Sequence, residues 1–469
     1  MKLVVIGGDA GGMSAASQAR KRLGPDRLQI TVFERGHFTS YSACGIPYWI
    51  GGSVRDRDAL VAREPAAFAK AGIDVRIRHE VVGIDLDKRE VVAHDLAGGG
   101  AVREGFDQLV YAAGALPVTP EWARIDGGGV FGVQTLDDGA AIHAWLDRDP
   151  KPKRAVVIGG GYVGIEMAEA MVLRGLDVTL VEKSPQPLST VDSDMGERVA
   201  EAIRGMDIEI RTNVQVDGIE AAGGRVRAVV TPDGTLPADI VVLGLGVRPN
   251  TDLAAKAGIP LGVTGGLRTD LRMRLVGAPS PHLKGAPRAG LFDGVWAAGD
   301  CVETVHRISG QPVYVPLGTH ANKQGRVAGI NIGGGYATFP GVIGTAVTKV
   351  CDLEVGRTGL TEAEAAAAGY AFVTASVDSS SRAGYYPGAS TMTVKLIAEK
   401  RTGLLLGAQI VGRAEAAKRI DSLAIAAWNR MTVEEMTALD LSYAPPFSPV
   451  WDPVLIAARK ATDAVHAAG

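Results

Sequence analysis

Two stretches of the chain repeat one pattern: an apolar strand, a glycine-rich loop, a helix, a second strand and a closing acid. In the first, a strand over 2–6 runs into Gly7-Gly8-Asp9-Ala10-Gly11-Gly12, a helix is expected over 13–23, and a strand over 28–33 ends at Glu34. In the second, a strand over 155–158 runs into Gly159-Gly160-Gly161-Tyr162-Val163-Gly164, a helix over 165–174 follows, and a strand over 177–181 ends at Glu182. A strand, a crossover helix and a parallel strand fold in one hand only and need cover on both faces. The pattern therefore predicts α/β architecture with two doubly wound, Rossmann-like domains. The outer glycines, Gly7 and Gly12, then Gly159 and Gly164, allow a tight turn and a close helix–strand approach, and the helix N-terminus receives a pyrophosphate. Each closing acid is placed to accept from an adenosine ribose, so each unit predicts one dinucleotide, and a mere packing turn leaves Glu34 unexplained. Arg35 is grouped with Glu34 as a cofactor contact. Gly161 holds the middle glycine position, but Asp9 holds it in the first loop. A carboxylate aimed at a pyrophosphate would be repelled, so Asp9 is expected to face elsewhere or to cap the helix. Glu182 favours NADH, because a 2′-phosphate would meet its charge, while neighbouring Lys183 keeps NADPH open.

Two more buried strands fit the first unit: 108–114, ending in Ala112-Ala113-Gly114, and 294–300, ending at Asp300. Ligands of doubly wound sheets lie beyond the carboxyl ends of the strands, which makes Ala113, Gly114 and Asp300 cofactor candidates. The first domain is then discontinuous, 1–118 and 247–333, around a second domain at 119–246 whose end carries Gly246. A helical run over 318–332 closes the first domain, and Gly333-Gly334-Gly335 reads as a linker. The remainder, 338–469, carries strand-like segments at 344–351, 371–377, 391–399 and 404–411 and a helix at 413–430, as in an α+β domain.

At 469 residues the chain is too long for a single core. A net charge of -3 suggests no nucleic-acid or membrane-surface partner. The three cysteines, Cys44, Cys301 and Cys351, are far apart, which argues against a disulfide framework or a metal site and for a reducing compartment. The chain opens directly on a strand and has no apolar run of membrane-spanning length, so a cytoplasmic protein is expected. Chemistry is placed at Cys44, in Ser40-Tyr41-Ser42-Ala43-Cys44-Gly45-Ile46-Pro47; Cys301 and Cys351, the latter placed in an apolar strand, read as buried small residues.

Taken together, these motifs resemble the flavoprotein pyridine nucleotide–disulfide oxidoreductases over essentially the whole chain, and within them the single-cysteine branch closest to the coenzyme A-disulfide reductases. The resemblance implies FAD in the first domain, NADH or NADPH in the second, and a C-terminal domain that forms a homodimer. Tyr162 then becomes a ring that covers the flavin where nicotinamide docks, or else a packed tyrosine. Glu166 becomes a nicotinamide contact, although the helix macrodipole explains an acid there equally well. Trp49 stands where two-cysteine relatives carry their second cysteine. Ala10 stands where oxidases and peroxidases of the branch carry a histidine. Tyr385-Tyr386-Pro387 and Tyr443-Ala444-Pro445-Pro446 match the tyrosines that coenzyme A-disulfide reductases supply from the partner subunit; interface packing is the plain alternative. Gln18, Lys21 and Ser40 match coenzyme A contacts, Arg63 and Lys70 match basic positions loosely, and Ala43 replaces a common asparagine. The implied reaction carries electrons from NAD(P)H through FAD to Cys44. Cys44, as a thiolate at neutral pH, attacks coenzyme A disulfide and forms a mixed disulfide, with Tyr443 and Tyr385 or Tyr386 aiding the leaving thiolate. The alternatives are an oxidase or peroxidase working through a Cys44 sulfenic acid, a coenzyme A persulfide or polysulfide reductase, and a redox-responsive binding protein.

Overall fold

A computed structural model describes residues 1–125, 128–277 and 292–468; the parts of the expected domains at 126–127, 278–291 and 469 lie outside them. The first sheet is wholly parallel, in the order Val295–Ala297, Gln108–Tyr111, Lys2–Ile6, Gln29–Phe33, Ile73–Arg76. Leu3 to Ile6 are all buried, as a central parallel strand covered on both faces must be. Ile6 pairs with both Phe33 and Tyr111, so the carboxyl ends of three strands align at one edge. The helix Ala10–Arg22 crosses this sheet, and Gly318–Ile332 lies on it. A Cβ on Gly325 would stand 2.1 Å from the Gly11 carbonyl oxygen, so glycine sets the closeness of that helix pair. Gly333 and Gly335, expected as a linker, pack instead on the Arg22 side chain.

The second sheet repeats the plan with Glu209–Arg211, Asp177–Val181, Arg154–Ile158, Ile240–Leu243 and Val130–Gly132, again parallel, and the helix Tyr162–Leu173. Both glycine-loop helices begin three residues earlier than expected, because the last loop residues already form the first turn. An antiparallel pair, Ala115–Pro117 with Val247–Pro249, joins the two strands of chain that cross between these units.

The third unit is an antiparallel sheet, Ala346–Val350, Leu353–Gly359, Leu405–Gly412, Thr391–Glu399, Phe372–Ser380, with helices Ala416–Trp428 and Pro453–Ala468. Leu353–Gly359 is a strand that its two glycines and two charges disguise in the sequence. Cys351 is not in a strand: it sits in the turn between the first two strands, at φ +57°, with its thiol donating to Ala202 O at 3.6 Å. No described helix is long and apolar enough to cross a membrane.

Candidate active site

The two glycine loops have the same geometry. Gly7 has φ +100° and Gly159 φ +102°, and a Cβ on either would lie 2.1 and 2.3 Å from the carbonyl oxygens of Ala112 and Gly244. A Cβ on Gly12 would lie 1.9 Å from Gly7 O, and on Gly164 1.8 Å from Gly159 O. Neither loop could close with larger residues. The closing acids carry a role that the pattern did not reveal. Glu34 accepts from Gly8 N and Gly36 N, both at 2.7 Å, and Glu182 accepts from Gly160 N at 2.6 Å and Ser184 N at 2.7 Å. Each carboxylate thus braces its own loop and keeps lone pairs free for a ribose. Arg35 is exposed beside Glu34.

Asp9 stands at the N-cap position of the helix, but its side chain makes no capping bond. It turns toward the cysteine loop and accepts from Tyr41 N at 3.2 Å. Ser40 N donates to Gly8 O at 3.1 Å, and Thr39 Oγ1 donates to the same oxygen. The departure from glycine at position 9 therefore fastens the first glycine loop to the loop that carries Cys44. Burial, then the charges of Glu34 and Asp300, push the Asp9 carboxyl up to about 6.

Cys44 lies in the short turn Ala43–Gly45, just before the helix Ile46–Ile50, and its thiol is free. That helix packs on Tyr162–Leu173: a Cβ on Gly51 would stand 3.2 Å from Ala170 Cα. Trp49 is buried and stacked on His143, so a packed indole occupies the place of a second cysteine. Burial first, then the charges of Glu166 and Asp300, raise the Cys44 thiol. This corrects the expectation of a ready thiolate: the lowering by the loop backbone is outweighed, and the chain's own groups favour the neutral thiol. Tyr48, one helical turn after Cys44, has its hydroxyl raised by burial and by Glu166, Glu169 and Cys44. Glu166 accepts from Thr348 Oγ1 at 3.3 Å and is pushed up to about 7 by burial. Cys301 is fully buried, its thiol donates to Ala298 O and Tyr111 O, and burial pushes it up to about 12, so it is inert.

The first unit fits FAD. Asp300 is pushed up to about 6 by burial, and the buried Tyr314 hydroxyl has no partner among the described residues. Gly114, at φ +68°, faces open space, and its backbone and that of Ala113 are fixed by Asn250. Asp300, Tyr314 and Gly114 are polar or open surfaces of the kind an extended cofactor satisfies. In the second unit, Gly161 and Gly246 likewise face open space. Tyr162 is half-buried, with its hydroxyl accepting from Thr190 Oγ1 at 3.2 Å.

The remaining expected residues are spread wider. Ser40 has φ +50°, and its carbonyl accepts from Ala62 N at 2.9 Å and Arg63 N at 3.4 Å. Arg63 lies over the Phe68 ring, and Lys70 is exposed at the end of Pro65–Ala69. Gln18 is half-buried and Lys21 exposed; among the described residues, no hydrogen bond or ion pair joins either to the cysteine loop. Tyr385, Tyr386 and Tyr443 lie on the outer surface of the third unit, 79%, 37% and 48% exposed, and Tyr385 helps to raise the Tyr443 hydroxyl. Among the described residues, no hydrogen bond joins any of the three to the loop that carries Cys44. Tyr48, Tyr314 and Thr190 carry no sequence signal except that Tyr48 falls four residues after Cys44.

Two braced dinucleotide loops, a single free cysteine between them and a third α+β unit define a flavin-dependent pyridine nucleotide oxidoreductase. Residues 1–325 match the family described as pyridine nucleotide-disulphide oxidoreductase, and 345–453 match its dimerisation domain. The chain belongs to that family, uses FAD and NAD(P)H, and carries the dimerisation domain of a homodimer. It is 39% identical over 460 residues to the NAD(P)H sulfur oxidoreductase (CoA-dependent) of Pyrococcus furiosus, covering 98% of each. It is 28% identical over 464 residues to the coenzyme A disulfide reductase of Staphylococcus haemolyticus, covering 98% of this chain and 99% of that one. Among solved structures, a NAD-dependent persulfide reductase from A. fulgidus is similar with a TM-score of 0.92 and 37% identity, over 99% of this chain and 83% of that one.

Proposed function

We propose that this chain reduces a sulfur–sulfur bond carried by coenzyme A, with Cys44 as the attacking sulfur and coenzyme A disulfide as the substrate. The observation that carries the reading is the free, exposed Cys44, with buried Trp49 where a second cysteine would be needed for an internal disulfide in that loop. FAD, when bound, takes hydride from NAD(P)H and returns two electrons to the sulfur. Cys44 Sγ, as thiolate, bonds to one sulfur of coenzyme A disulfide; the substrate S–S bond breaks and one coenzyme A thiolate leaves. Two electrons then break the new Cys44–sulfur bond, restore the Cys44 thiolate and release the second coenzyme A, which takes a proton. Ser40, Arg63, Lys70, Gln18 and Lys21 are the proposed coenzyme A contacts. Tyr443 and Tyr385 or Tyr386 serve the Cys44 of the partner subunit, in keeping with their exposure on the third unit. Glu182 favours NADH, with NADPH kept open by Lys183, and Tyr162 covers the nicotinamide position.

A coenzyme A persulfide or polysulfide is the second reading. It is favoured by the higher identity to the Pyrococcus furiosus sulfur oxidoreductase than to the coenzyme A disulfide reductase. The oxidase reading is weakened by Ala10, a methyl group where peroxide chemistry would need a histidine. The test is anaerobic NADH oxidation with coenzyme A disulfide, coenzyme A persulfide, hydrogen peroxide and glutathione disulfide in turn. Cys44→Ser should abolish turnover with the coenzyme A substrates while NADH still bleaches the flavin. Turnover surviving in Cys44→Ser, or turnover with peroxide alone, rejects the reading.

A further inference from the structure

The segment between Glu182 and the helix Ser193–Arg204 folds over the second glycine loop. Leu188 N donates to Gly160 O at 2.6 Å, and a Cβ on Gly160 would stand 3.2 Å from Pro187. Farther along, Thr190 Oγ1 donates to the Tyr162 hydroxyl at 3.2 Å. The other side of this segment is held by the third unit. Arg357, 9% exposed in the strand Leu353–Gly359, donates to Thr190 O at 2.7 Å, to Gly359 O at 2.7 Å and to Glu364 at 2.9 Å. Two residues beyond Thr190, Asp192 exchanges two hydrogen bonds with Gln409, at 2.7 and 2.8 Å, and accepts from Glu362 N at 2.9 Å. Thr190 is therefore clamped through its own carbonyl and through Asp192, and its hydroxyl is left to hold Tyr162.

We propose that Thr190 is a latch on Tyr162, anchored to the third unit by Arg357 and Asp192, that sets how readily NAD(P)H displaces the tyrosine ring. The proposal rests on the reading of Tyr162 as the cover of the nicotinamide position. If the ring must swing away for nicotinamide to dock, the Thr190 bond must break each time. The apparent affinity for NADH is then lowered by the fraction of molecules that are latched. Removing a bond of ordinary net strength should tighten NADH binding by roughly 2- to 10-fold. The sign separates a latch from a merely structural contact, whose loss would loosen the glycine loop and weaken binding. It also makes Thr190 a positioning residue, acting through Tyr162 and touching no reacting atom.

The experiment uses the FAD-loaded full chain and follows anaerobic flavin reduction against NADH concentration. Thr190→Val should lower half-saturation by roughly 2- to 10-fold. Thr190→Ser, which keeps the hydroxyl, should match wild type. Tyr162→Phe should behave as Thr190→Val, and the double variant should gain nothing further, since both remove one bond. Unchanged or weaker NADH binding in Thr190→Val, while Tyr162→Ala shifts half-saturation, overturns the latch alone. No change in either variant overturns the Tyr162 reading and the latch with it.

Discussion

Lys395→Met should loosen the segment that covers the second glycine loop, and its size can be worked from the side chains around the ammonium. Lys395 is 4% exposed, and its Nζ lies 3.2 Å from Asp192, 2.7 Å from Asp194 and 2.6 Å from Glu362. Burial works against its charge, but the hydrogen bonds to Asp194 and Glu362 and the field of Asp192 prevail and raise its pKa. Removing one partner of a buried ion pair costs about 3–5 kcal/mol, because the other charge is stranded. Here Asp194 and Glu362 are 49% and 42% exposed and can rehydrate, whereas Asp192 at 8% cannot. Asp192 keeps its donors Gln409 Nε2 and Glu362 N, which places the loss at the low end, about 3 kcal/mol, or roughly 100-fold in local opening. Amide hydrogen exchange reads this directly without requiring two-state unfolding of a multidomain chain. The Asp192 and Glu362 amides should exchange roughly 100-fold faster, and the Gly7 amide, bonded to Phe33 O in the first sheet, should not change. Adding Asp192→Asn should recover part of the loss. An acceleration of less than about fivefold at both amides would refute the claim that this lysine carries the junction.

Other expected outcomes follow from the same contacts. Gly164→Ala places a methyl 1.8 Å from Gly159 O, so FAD should remain bound by absorbance while NADH no longer reduces it. Gly12→Ala makes the corresponding clash at 1.9 Å in the first loop and should yield protein without FAD; retention of FAD there would reject the assignment of the loops. Glu166→Gln should show a pH-dependent gain in stability. With its carboxyl at about 7 in the fold and an ordinary value of 4.5, the native state holds the proton longer than the unfolded chain, so Glu166 costs nothing below 4.5 and progressively more as pH rises through 7. The thermal midpoint of Glu166→Gln should therefore match wild type near the lower end and exceed it above neutrality, by up to roughly 3 kcal/mol in free energy. A gain that does not vary with pH would show that Glu166 does not titrate in this range.

The parts of the molecule legible in the sequence are those fixed by local backbone demands. Gly7 and Gly12, Gly159 and Gly164, and the acids after the second strands can be read because a turn and a close approach admit no other residue. The sheets follow, since Leu3–Ile6 and Ala155–Ile158 could only be buried. What escaped depends on segments distant in the chain. Glu34 and Glu182 read as ribose acceptors, and their bracing of Gly8 and Gly160 appears only once strand and loop are folded together. Asp9 stands out in the sequence as a departure from glycine, but its partner, Tyr41 N, lies 32 positions away. Leu353–Gly359 does not look like a strand in the sequence because Arg357 resembles a surface residue, although the fold buries it against Thr190 O and Glu364. The raised thiol at Cys44 is hidden for the same reason: it follows from burial first, then from Glu166 of the second domain and from Asp300, which is in its own domain but 256 positions away.

That correction bears on where protons can move in the reaction. In the proposed reaction the second coenzyme A leaves as a thiolate and must be protonated at neutral pH. Tyr48 and Tyr443 have raised hydroxyls, the first by burial and Glu166, the second by desolvation and then by Tyr385, so both stay protonated at neutral pH and can offer a hydrogen bond without exchanging a proton. Of the carboxyls that act on Cys44, Glu166 at about 7 is the one nearest to an even division between its two forms at neutral pH, with Asp9 and Asp300 at about 6 mostly ionised, and such a division is what exchange of a proton requires. Its negative form raises the thiol and its neutral form relieves it. Protonation of Glu166 and ionisation of Cys44 are therefore favourably coupled, and the pair titrates as a unit whose apparent values belong to neither residue alone. Alkylation of Cys44 by iodoacetamide, followed against pH, should accordingly lose a distinct inflection in Glu166→Gln and shift to lower pH.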